Sequence, residues 1–475
     1  SVAFADWRGK GAPGQDAVPV YSPQPRKPAA SVFTHHDGGD EISVYSLTPY
    51  HKFPDTIAGQ QERILLALGI GAVNRRLAAV SAAENPPYRS AQVFASDLLK
   101  SANYAGGSAS VTPGQWKRGL EALEQTWRSA LVHGFTQAEI DQQKAALRSA
   151  LANAARRETT RPTATLAASL LSAIQGDEVF TAPSFDLALF DGWASGATPE
   201  RVHETFGKWM KRDAPLLFLS SSIDQPNAEK QIVNAWVRSE SLKVDRPKAK
   251  TVARFGYTDF GAPGKVASDR RVADLQARAI TFDNNVRLNL KKTSFQQGSV
   301  LVSLRVGEGA IALEDAPFGL PILMNAYSAG GLELHSIDDL RAMMGDRSVQ
   351  AGFSIFPDFF GGVYSTTPSD LELQLQLAAA YLTHPGYRSE AERSWREATI
   401  LSWPRLDADA RSVFASRGTR LLASGDRRFG MDPDDGVADR SFTELKGYLE
   451  PLLKDAPIEI AIVGDFDETA AISAV

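Results

Sequence analysis

The side chains best suited to metal or nucleophilic chemistry are scarce in this sequence. It contains no cysteine, which excludes disulfide frameworks, thiolate metal sites and cysteine nucleophiles. A chain without thiols suits either an oxidising or a reducing compartment, so this absence leaves the compartment open. Any chemistry based on imidazole must come from the seven histidines, which are His35, His36, His51, His133, His203, His335 and His384.

One histidine pair has acidic neighbours. His35-His36 lies next to Asp37 and Asp40, and these residue types could hold a metal. The competing interpretation is a solvated loop, because adjacent residues on an extended strand point to opposite sides. The loop interpretation is favoured.

The other histidines lie at loops and helix ends. His335 follows Gly330-Gly331 and could contact a peptide, although an ordinary polar loop residue is the favoured interpretation. His133 and His384 each end an amphipathic segment, where an imidazolium complements the helix dipole. We therefore expect a structural role for both.

Two further motifs can be compared with known catalytic patterns. Ser220-Ser221-Ser222 lacks the glycines that flank a nucleophilic serine at a strand-to-helix turn, so a serine hydrolase is not expected. The pairs Gly330-Gly331 and Gly361-Gly362 are not followed by a phosphate-loop signature. Turns or a close approach of two backbones explain these pairs better.

Composition bounds the class of protein. With 475 residues, of which 43% are apolar and 23% charged, the chain has material for two globular cores. The net charge of −5 is spread over both signs, so no nucleic-acid footprint is visible. The longest apolar run, residues 64–73, is too short to span a bilayer. No nucleic-acid or membrane partner is expected.

One pattern occurs twice, about 250 residues apart. Asp213-Ala214-Pro215 and Asp455-Ala456-Pro457 each precede an apolar strand-like run. The offset is 455 − 213 = 242 for this pair, 384 − 133 = 251 for the histidines that end the two amphipathic segments, and 347 − 89 = 258 for Arg89-Ser90 and Arg347-Ser348, which each open a strand-like segment. The conserved order predicts two copies of one fold unit.

The elements of both copies predict an α+β fold, in which each copy has a mostly antiparallel sheet with helices packed on one face. The predicted boundaries are 1–28 for a tail of a preceding domain and a linker, 29–240 for the first copy, 241–279 for an interdomain connector and 280–475 for the second copy. The second copy is expected to contain a helix from Phe318 to Tyr327, at the position that matches a first-copy helix from Asp55. Capping boxes are predicted at Thr136, Ser389 and Ser441.

Several short segments resemble the opening of a pitrilysin/insulinase-type zinc metallopeptidase domain. They are Asn285-Val286-Arg287-Leu288, the strand from Val302 to Gly309, and Gly319-Leu320. In that family a helix that begins Gly-Leu carries H-x-x-E-H, in which two histidines bind zinc, the glutamate activates water, and a more distant glutamate is the third ligand. The resemblance implies a protein built from repeated α+β domains.

When the family's zinc motif is compared with this sequence position by position, its residues are not present. The first histidine is replaced by Ile322, the glutamate by Asn325 and the second histidine by Ala326. The distant ligand position falls at Trp403, with Glu397 the nearest carboxylate upstream. These residue types cannot supply two imidazoles and a base, so no catalytic residue and no metal ligand are predicted.

The matching helix of the first copy fails as well. The segment Gly59-Gln60-Gln61-Glu62-Arg63-Ile64 has one carboxylate and no histidine. Zinc is therefore expected only in a catalytic domain outside this chain. Residues that contact a peptide are not identifiable from the sequence.

The resemblance implies a catalytically inactive region of a pitrilysin/insulinase-like zinc metalloendopeptidase, the second and third of four domains, which helps enclose and bind a peptide or unfolded protein. The alternative is a stand-alone inactive partner subunit, or a structural core protein, that pairs with a separate zinc-bearing subunit. A metal-free binding protein that shares only the α+β pattern is the third possibility. A periplasmic or exported location is favoured by the resemblance alone.

Overall fold

The computed structural model describes Gly11 and residues 27–35, 39–83, 85–98, 100–247, 254–426, 428–432 and 435–475. Most of the predicted tail, 1–28, lies outside these ranges. So do His36 and Asp37 of the histidine pair.

The first unit is built on a mixed sheet with the order β1-β5-β2-β4-β3. Its strands are β1 (Ala29–Thr34), β2 (Asp40–Pro49), β3 (Ser90–Leu98), β4 (Ala102–Val111) and β5 (Leu216–Ser221). Only the β1–β5 pair is parallel among these neighbours. Its helices are α1 (Ile57–Ser81), α2 (Trp116–His133), α3 (Gln137–Arg156), α4 (Thr163–Gly176), α5 (Pro183–Trp193), α6 (Pro199–Trp209) and α7 (Ala228–Ser241).

The second unit has a larger sheet with the order β10-β11-β9-β12-β8-β7-β6. Its strands are β6 (Val266–Val272), β7 (Ala277–Phe282), β8 (Arg287–Lys292), β9 (Val300–Val306), β10 (Ser354–Ile355), β11 (Phe360–Thr366) and β12 (Ile458–Gly464). Its helices are α8 (Leu320–Leu323), α9 (Ile337–Met343), α10 (Leu371–Thr383), α11 (Ser389–Leu406), α12 (Ala410–Val413), α13 (Thr419–Leu422), α14 (Phe442–Lys454) and α15 (Glu468–Ala474).

The two sheets share an arrangement over five strands. In the second sheet, β8 pairs with β12 in parallel. The next three pairs, β12 with β9, β9 with β11, and β11 with β10, are all antiparallel. This is the order and the direction of β1, β5, β2, β4 and β3 in the first sheet. The predicted α+β fold with mostly antiparallel sheets is confirmed.

Each unit buries its own apolar core. In the first, Trp127 and Trp236 are fully buried between α2, α7 and the sheet. In the second, Tyr327, Tyr381 and Phe360 are buried in the same way. The units contact each other through α3, where the Gln142 amide donates to the Ala342 carbonyl over 2.8 Å.

One helix of the described residues, α1, is long and apolar enough to cross a membrane by length and composition. Its Leu65, Leu68, Val73 and Leu77 are buried in the first core. The helix also carries Arg76, which forms an ion pair with the capping-box glutamate of α3. The apolar composition of α1 is explained by its central position in the unit.

Two local predictions are confirmed. Thr136 and Glu139 form the predicted capping box of α3, and Phe135 and Ile140 are both buried beside it. Ser441 and its N3 glutamate form the box of α14. In both places the side chain oxygens satisfy amides that the first helical turn leaves without partners.

The capping box predicted at Ser389 is wrong. The helix begins one residue earlier, so Arg388 is the cap residue and makes no side-chain cap bond. Glu392 instead accepts from Arg396 and from the Phe442 amide, which it reaches at 2.6 Å. Its carboxylate therefore links α11 to α14.

The pair Gly361-Gly362, for which the sequence predicts a turn or a close approach of two backbones, lies within β11. A Cβ atom on Gly361 would lie 1.9 Å from the Leu304 carbonyl oxygen, so the close approach of two backbones is confirmed there. The pair Gly106-Gly107 lies within β4, where a Cβ atom on Gly106 would lie 2.3 Å from the ring of Phe94 and one on Gly107 would lie 3.3 Å from Trp127. These two glycines make room for neighbouring aromatic rings.

Three further predictions need correction. The range 241–279 is not a connector throughout, because β6 and the start of β7 belong to the second sheet. Ser348 does not open a strand, since its amide donates to Asp370. The helix predicted from Phe318 to Tyr327 is broken: only α8 is α-helical, and Met324–Ala326 and Ser328–Gly330 are 3-10 turns.

Candidate functional site

The first unit has a cleft at the ends of β2 and β3, beside the start of α1. It has a volume of about 390 Å³. We refer to it as the cleft. Its walls combine aromatic, cationic and acidic side chains; those used below are His51, Lys52, Phe53, Arg63, Ala95, Asp97, Lys100, Tyr104, Glu178 and Trp209.

An aromatic wall forms one side of the cleft. The rings of Phe53 and Trp209 stack with centroids 4.1 Å apart. The Arg63 guanidinium lies 5.6 Å from the centre of the Phe53 ring, and the His51 ring packs against Trp209 at 5.9 Å. Stacked rings of this kind offer a flat apolar surface with polar edges.

The carboxylate on the matching segment of α1 is already engaged. Glu62 accepts from the Trp209 indole at 2.8 Å and from the Lys208 ammonium at 2.5 Å. Burial raises the pKa of Glu62, but these two hydrogen bonds outweigh it and hold the pKa below its usual range. A carboxylate stabilised in its charged form is a poor general base, so Glu62 serves to fix Trp209 in place.

The edge strand β3 forms another wall and is partly covered. The Asn74 amide on α1 donates to the Val93 carbonyl over 3.0 Å and accepts from the Val93 amide at 2.7 Å. Both backbone groups of Val93 therefore point away from β4. Because the outward direction alternates along a strand, the backbone groups of Ala95 and Asp97 also face the free edge, next to the cleft.

In the second unit, the zinc-motif positions do not converge on one site. Ile322 is half-buried, Asn325 is exposed and Ala326 is buried. Two of these side chains are hydrocarbons and the third is a neutral amide, so they do not fit a zinc ion. Among the residues that the structure describes, no group of three or more His, Asp or Glu side chains is placed to hold a metal.

Asp40, the acidic neighbour of the histidine pair that the structure describes, is engaged by other residues. Both carboxylate oxygens of Asp40, which is fully buried, accept hydrogen bonds from Ser221, from Ser222 and from the Gly114 amide. His35 continues β1, where its amide donates to the Ser221 carbonyl. Asp40 and the serines thus hold the ends of two strands together.

The remaining histidines are structural. His335 is buried, and its Nε2 accepts from the Gly256 amide at 3.1 Å. Burial lowers the pKa of His335, which fits a neutral ring in this place. His133 contacts the Val244 carbonyl at 2.9 Å, and His384 contacts the Thr383 hydroxyl at 2.7 Å.

Sequence reasoning missed the cleft. The segment from Tyr50 to Phe53 follows β2 and concentrates two aromatic rings, an imidazole and an ammonium within four residues. Such a group of residues directly after a strand could have predicted a binding surface there. Trp209 could not be found in this way, because α6 brings it to the cleft from far along the chain.

The geometry defines a class: paired α+β units, each with a mixed sheet and a helix packed behind its edge strand. No protein-family model and no curated protein matches the sequence. Among solved structures, the chain is similar to a variant of the ferredoxin protease FusC in complex with Arabidopsis ferredoxin, at 15% identity with a TM-score of 0.59. That likeness covers 98% of this chain and 52% of the FusC chain.

Two other solved structures are less similar. The periplasmic protease PqqL from Escherichia coli matches at 16% identity with a TM-score of 0.45, over 98% of this chain and 52% of its own. Pitrilysin matches at 12% identity with a TM-score of 0.39, over 94% of this chain and 47% of its own. The chain thus shares the FusC fold and spans about half the length of these structures.

Proposed function

We propose that the chain is a non-catalytic, peptide-enclosing region of a pitrilysin-like zinc peptidase. The fold likeness to FusC over 98% of the chain carries this proposal. The zinc-motif positions Ile322, Asn325 and Ala326 complement it, because they supply neither imidazole nor carboxylate. FusC was solved with a protein, ferredoxin, which supports a peptide or unfolded protein as the ligand of this chain.

The cleft is the proposed binding surface. A peptide in extended form would add to the edge of β3 at Ala95 and Asp97, where backbone groups face outward. Its side chains alternate in direction, so every second one would enter the cleft. The stacked rings of Phe53 and Trp209 would receive an apolar side chain.

The two units are proposed to be copies of one ancestral domain. The shared order and direction of five strands support this, as does the matching place of α1 and the broken segment from Leu320. In a half-length chain the zinc-bearing domain is then supplied elsewhere. It belongs either to the same longer protein or to a separate subunit, and the natural reading frame distinguishes the two. Export stays an inference from the family resemblance.

Elemental analysis and a peptidase assay test the absence of catalysis. We expect the purified chain to hold far less than one equivalent of zinc and to leave fluorescein-labelled casein intact. One equivalent of zinc, or cleavage that a chelator abolishes, would contradict the proposal.

A pair of proline variants tests the binding surface. Ala95→Pro removes an outward amide beside the cleft, whereas Ala91→Pro removes an equivalent outward amide away from it. Both leave the β3–β4 bonds in place. We expect Ala95→Pro to weaken binding of labelled casein in fluorescence anisotropy at least about threefold, from one lost hydrogen bond. Equal binding by the two variants would exclude the β3 edge at Ala95 as the surface that binds the peptide.

A further inference from the structure

Part of one wall of the cleft is formed by a segment that leaves the body of the first unit and returns to it. We refer to this segment, which runs from the end of α3 through α4 to the start of α5, as the excursion. Its base is closed where the Ser184 amide donates to Glu158 over 2.9 Å. Thr159 adds a hydrogen bond of 2.9 Å to Gln297 of the second unit. Both ends of the excursion are therefore anchored.

Packing holds the middle of the excursion only weakly. Helix α4 buries no side chain, although it carries no charged residue. Leu170, Leu171 and Ile174 are exposed, the last by 65%. An apolar helix that contributes nothing to the core can separate from the body at little cost in buried area.

The tip of the excursion is attached by polar contacts to the rim of the cleft. The Lys52 ammonium forms an ion pair with Asp177 at 2.8 Å, and the Arg63 guanidinium forms one with Glu178 at 2.8 Å. The Lys100 ammonium donates to the Gln175 carbonyl over 2.7 Å. These contacts come from the end of β2, from α1 and from the β3–β4 turn, three different sides of the cleft.

A fourth contact fastens the far end of the tip. The Asp55 carboxylate accepts from the Val179 amide at 2.5 Å and from the Gln60 side chain at 2.9 Å. The Val179 hydrogen bond holds the pKa of Asp55 below its usual range. Gly176 and Glu178 meanwhile line the cleft itself. The tip is thus part of the wall of the cleft, and moving it outward would widen the space that a peptide enters.

We propose that residues 163–179 form a lid over the cleft, latched by the ion pairs of Lys52 and Arg63, and that a peptide binds only after the latch opens. The part that concerns peptides rests on the proposed function. The latch consists of one exposed ion pair, Lys52–Asp177, and one partly exposed pair, Arg63–Glu178, and ion pairs so accessible to solvent are weak and screened by salt. Opening is therefore promoted by ionic strength, while the anchored base returns the lid to its place.

A reversible covalent lock tests the lid. The hydrogen bond between the Asp55 carboxylate and the Val179 amide shows that these two positions are neighbours, so Asp55→Cys with Val179→Cys is the variant designed to join the tip to the rim. The natural chain has no cysteine, so no other disulfide can form. The reduced form of the same protein is the control.

We expect oxidation of this double variant to weaken binding of labelled casein at least about tenfold, and reduction to restore it, because a locked lid removes the open state. Equal binding by the two forms, with the disulfide verified by mass spectrometry, would overturn the lid. Binding by no form of the protein, the natural chain included, would instead count against the proposed function.

Hydrogen exchange tests the latch without any peptide. Asp177→Asn removes one latch charge and keeps a residue that tolerates the left-handed backbone found there, where φ is 53°. We expect the amides of residues 164–179 to exchange about two- to fivefold faster in this variant, as the loss of one surface ion pair predicts. A similar acceleration is expected when salt is raised in the natural protein. Unchanged exchange in both experiments would refute the latch, whatever the binding assay shows.

Discussion

The helix behind the edge strand is continuous in the first unit and broken in the second. Helix α1 runs over 25 residues, from Ile57 to Ser81. At the matching place the second unit has the four-residue α8, two 3-10 turns and then α9. Both segments leave the strand beside the unit's parallel pair and lead to the edge strand, so the same topology tolerates either form.

Local residues explain the break. Gly319 has a φ of 95° immediately before α8, and Gly331 has a φ of 66° immediately after the second 3-10 turn. A left-handed residue cannot continue a right-handed helix, so the segment is bounded at both ends. The Arg388 guanidinium then donates to the carbonyls of Gly330 and Leu332, groups that a continuous helix would have paired internally.

The break changes which helix protects the sheet edge. In the first unit Asn74 of α1 bonds both backbone groups of Val93. In the second, the fully buried Gln374 of α10 bonds both backbone groups of Gln350, at 2.8 and 3.1 Å. A side-chain amide presents one donor and one acceptor, as a neighbouring strand would. The protection is thus retained although its source has moved.

The helices α2 and α10 also differ in the charge they bury. The carboxylate of Glu124 is fully buried and bonds Arg128 at 2.7 Å, Arg212 at 2.8 Å and Ser239 at 2.5 Å. Burial raises the pKa of Glu124, but the hydrogen bonds from Arg128 and Ser239 outweigh it, and the pKa lies below its usual range. Buried Gln374 is neutral.

Removing that carboxylate should give the largest effect. Glu124→Ala leaves Arg212, whose side chain is 8% exposed, without its partner. We expect the free energy of unfolding to fall by about 3–5 kcal/mol, as for other broken buried ion pairs. Urea denaturation measures this. The matched control is Glu450→Gln, which breaks an exposed pair with Lys446 and should change stability by under about 1 kcal/mol; equal effects would contradict the difference between the helices.

The two edge-protecting amides can be compared directly. Asn74→Leu leaves the backbone N–H and C=O of buried Val93 without a partner, whereas Gln374→Leu does the same to Gln350, which is exposed and lies before β10. We expect a loss of about 2–4 kcal/mol from Asn74→Leu, since each unsatisfied buried group costs about 1–3 kcal/mol, and a smaller loss from Gln374→Leu, because water can reach Gln350. Denaturant titration gives the values, and hydrogen exchange at Val93 and Gln350 locates them. Equal losses from the two variants would contradict this difference.

Glycine substitutions test why one segment is broken and the other is not. In Gly331→Ala the new Cβ would lie 2.6 Å from the His335 carbonyl oxygen, and its backbone would stay in the left-handed region. We expect a loss of about 1–3 kcal/mol from that strain. Gly71→Ala in α1 meets only the end of the flexible Gln143 side chain and should gain up to about 1 kcal/mol of helix propensity. Thermal unfolding should therefore shift in opposite directions.

The smallest expected effect is a change in how the free energy of unfolding depends on pH. Burial lowers the pKa of His335 in the folded protein, with Asp339 opposing that shift and Arg388 adding to it. As pH falls below the unfolded value of about 6.5, the unfolded chain takes up a proton that the folded chain does not, so stability decreases. His335→Gln should flatten the stability curve just below that pH. An unchanged curve would assign the pH dependence to other groups.

The sequence predicted what depends on local periodicity and capping. The α+β class, the strand from Ile458, the boxes at Thr136 and Ser441, and helix α2 all follow from patterns within a few residues. The broken segment was missed because its apolar residues suit a helix, while the space at Gly331, where a Cβ atom would lie 2.6 Å from the His335 carbonyl oxygen, is visible only in the folded chain. Tertiary contacts override propensity there.

The candidate site was less predictable than the fold. The residue types at the positions compared with the zinc motif, Ile322, Asn325 and Ala326, can be read from the sequence alone. The cleft depends on α6 bringing Trp209 against Phe53, and on the excursion returning to Lys52 and Arg63. Those pairs are more than 100 residues apart in sequence, so no local pattern could have joined them.

The covered edges have a consequence for concentrated solutions. Unpaired sheet edges are where separate chains join into aggregates. Asn74 blocks the middle of β3, and β10 is only two residues long. The exposed edge strand β6 carries Asp269, Arg270 and Arg271. Features on three of the four sheet edges, those of β3, β10 and β6, thus oppose sheet-to-sheet association between copies.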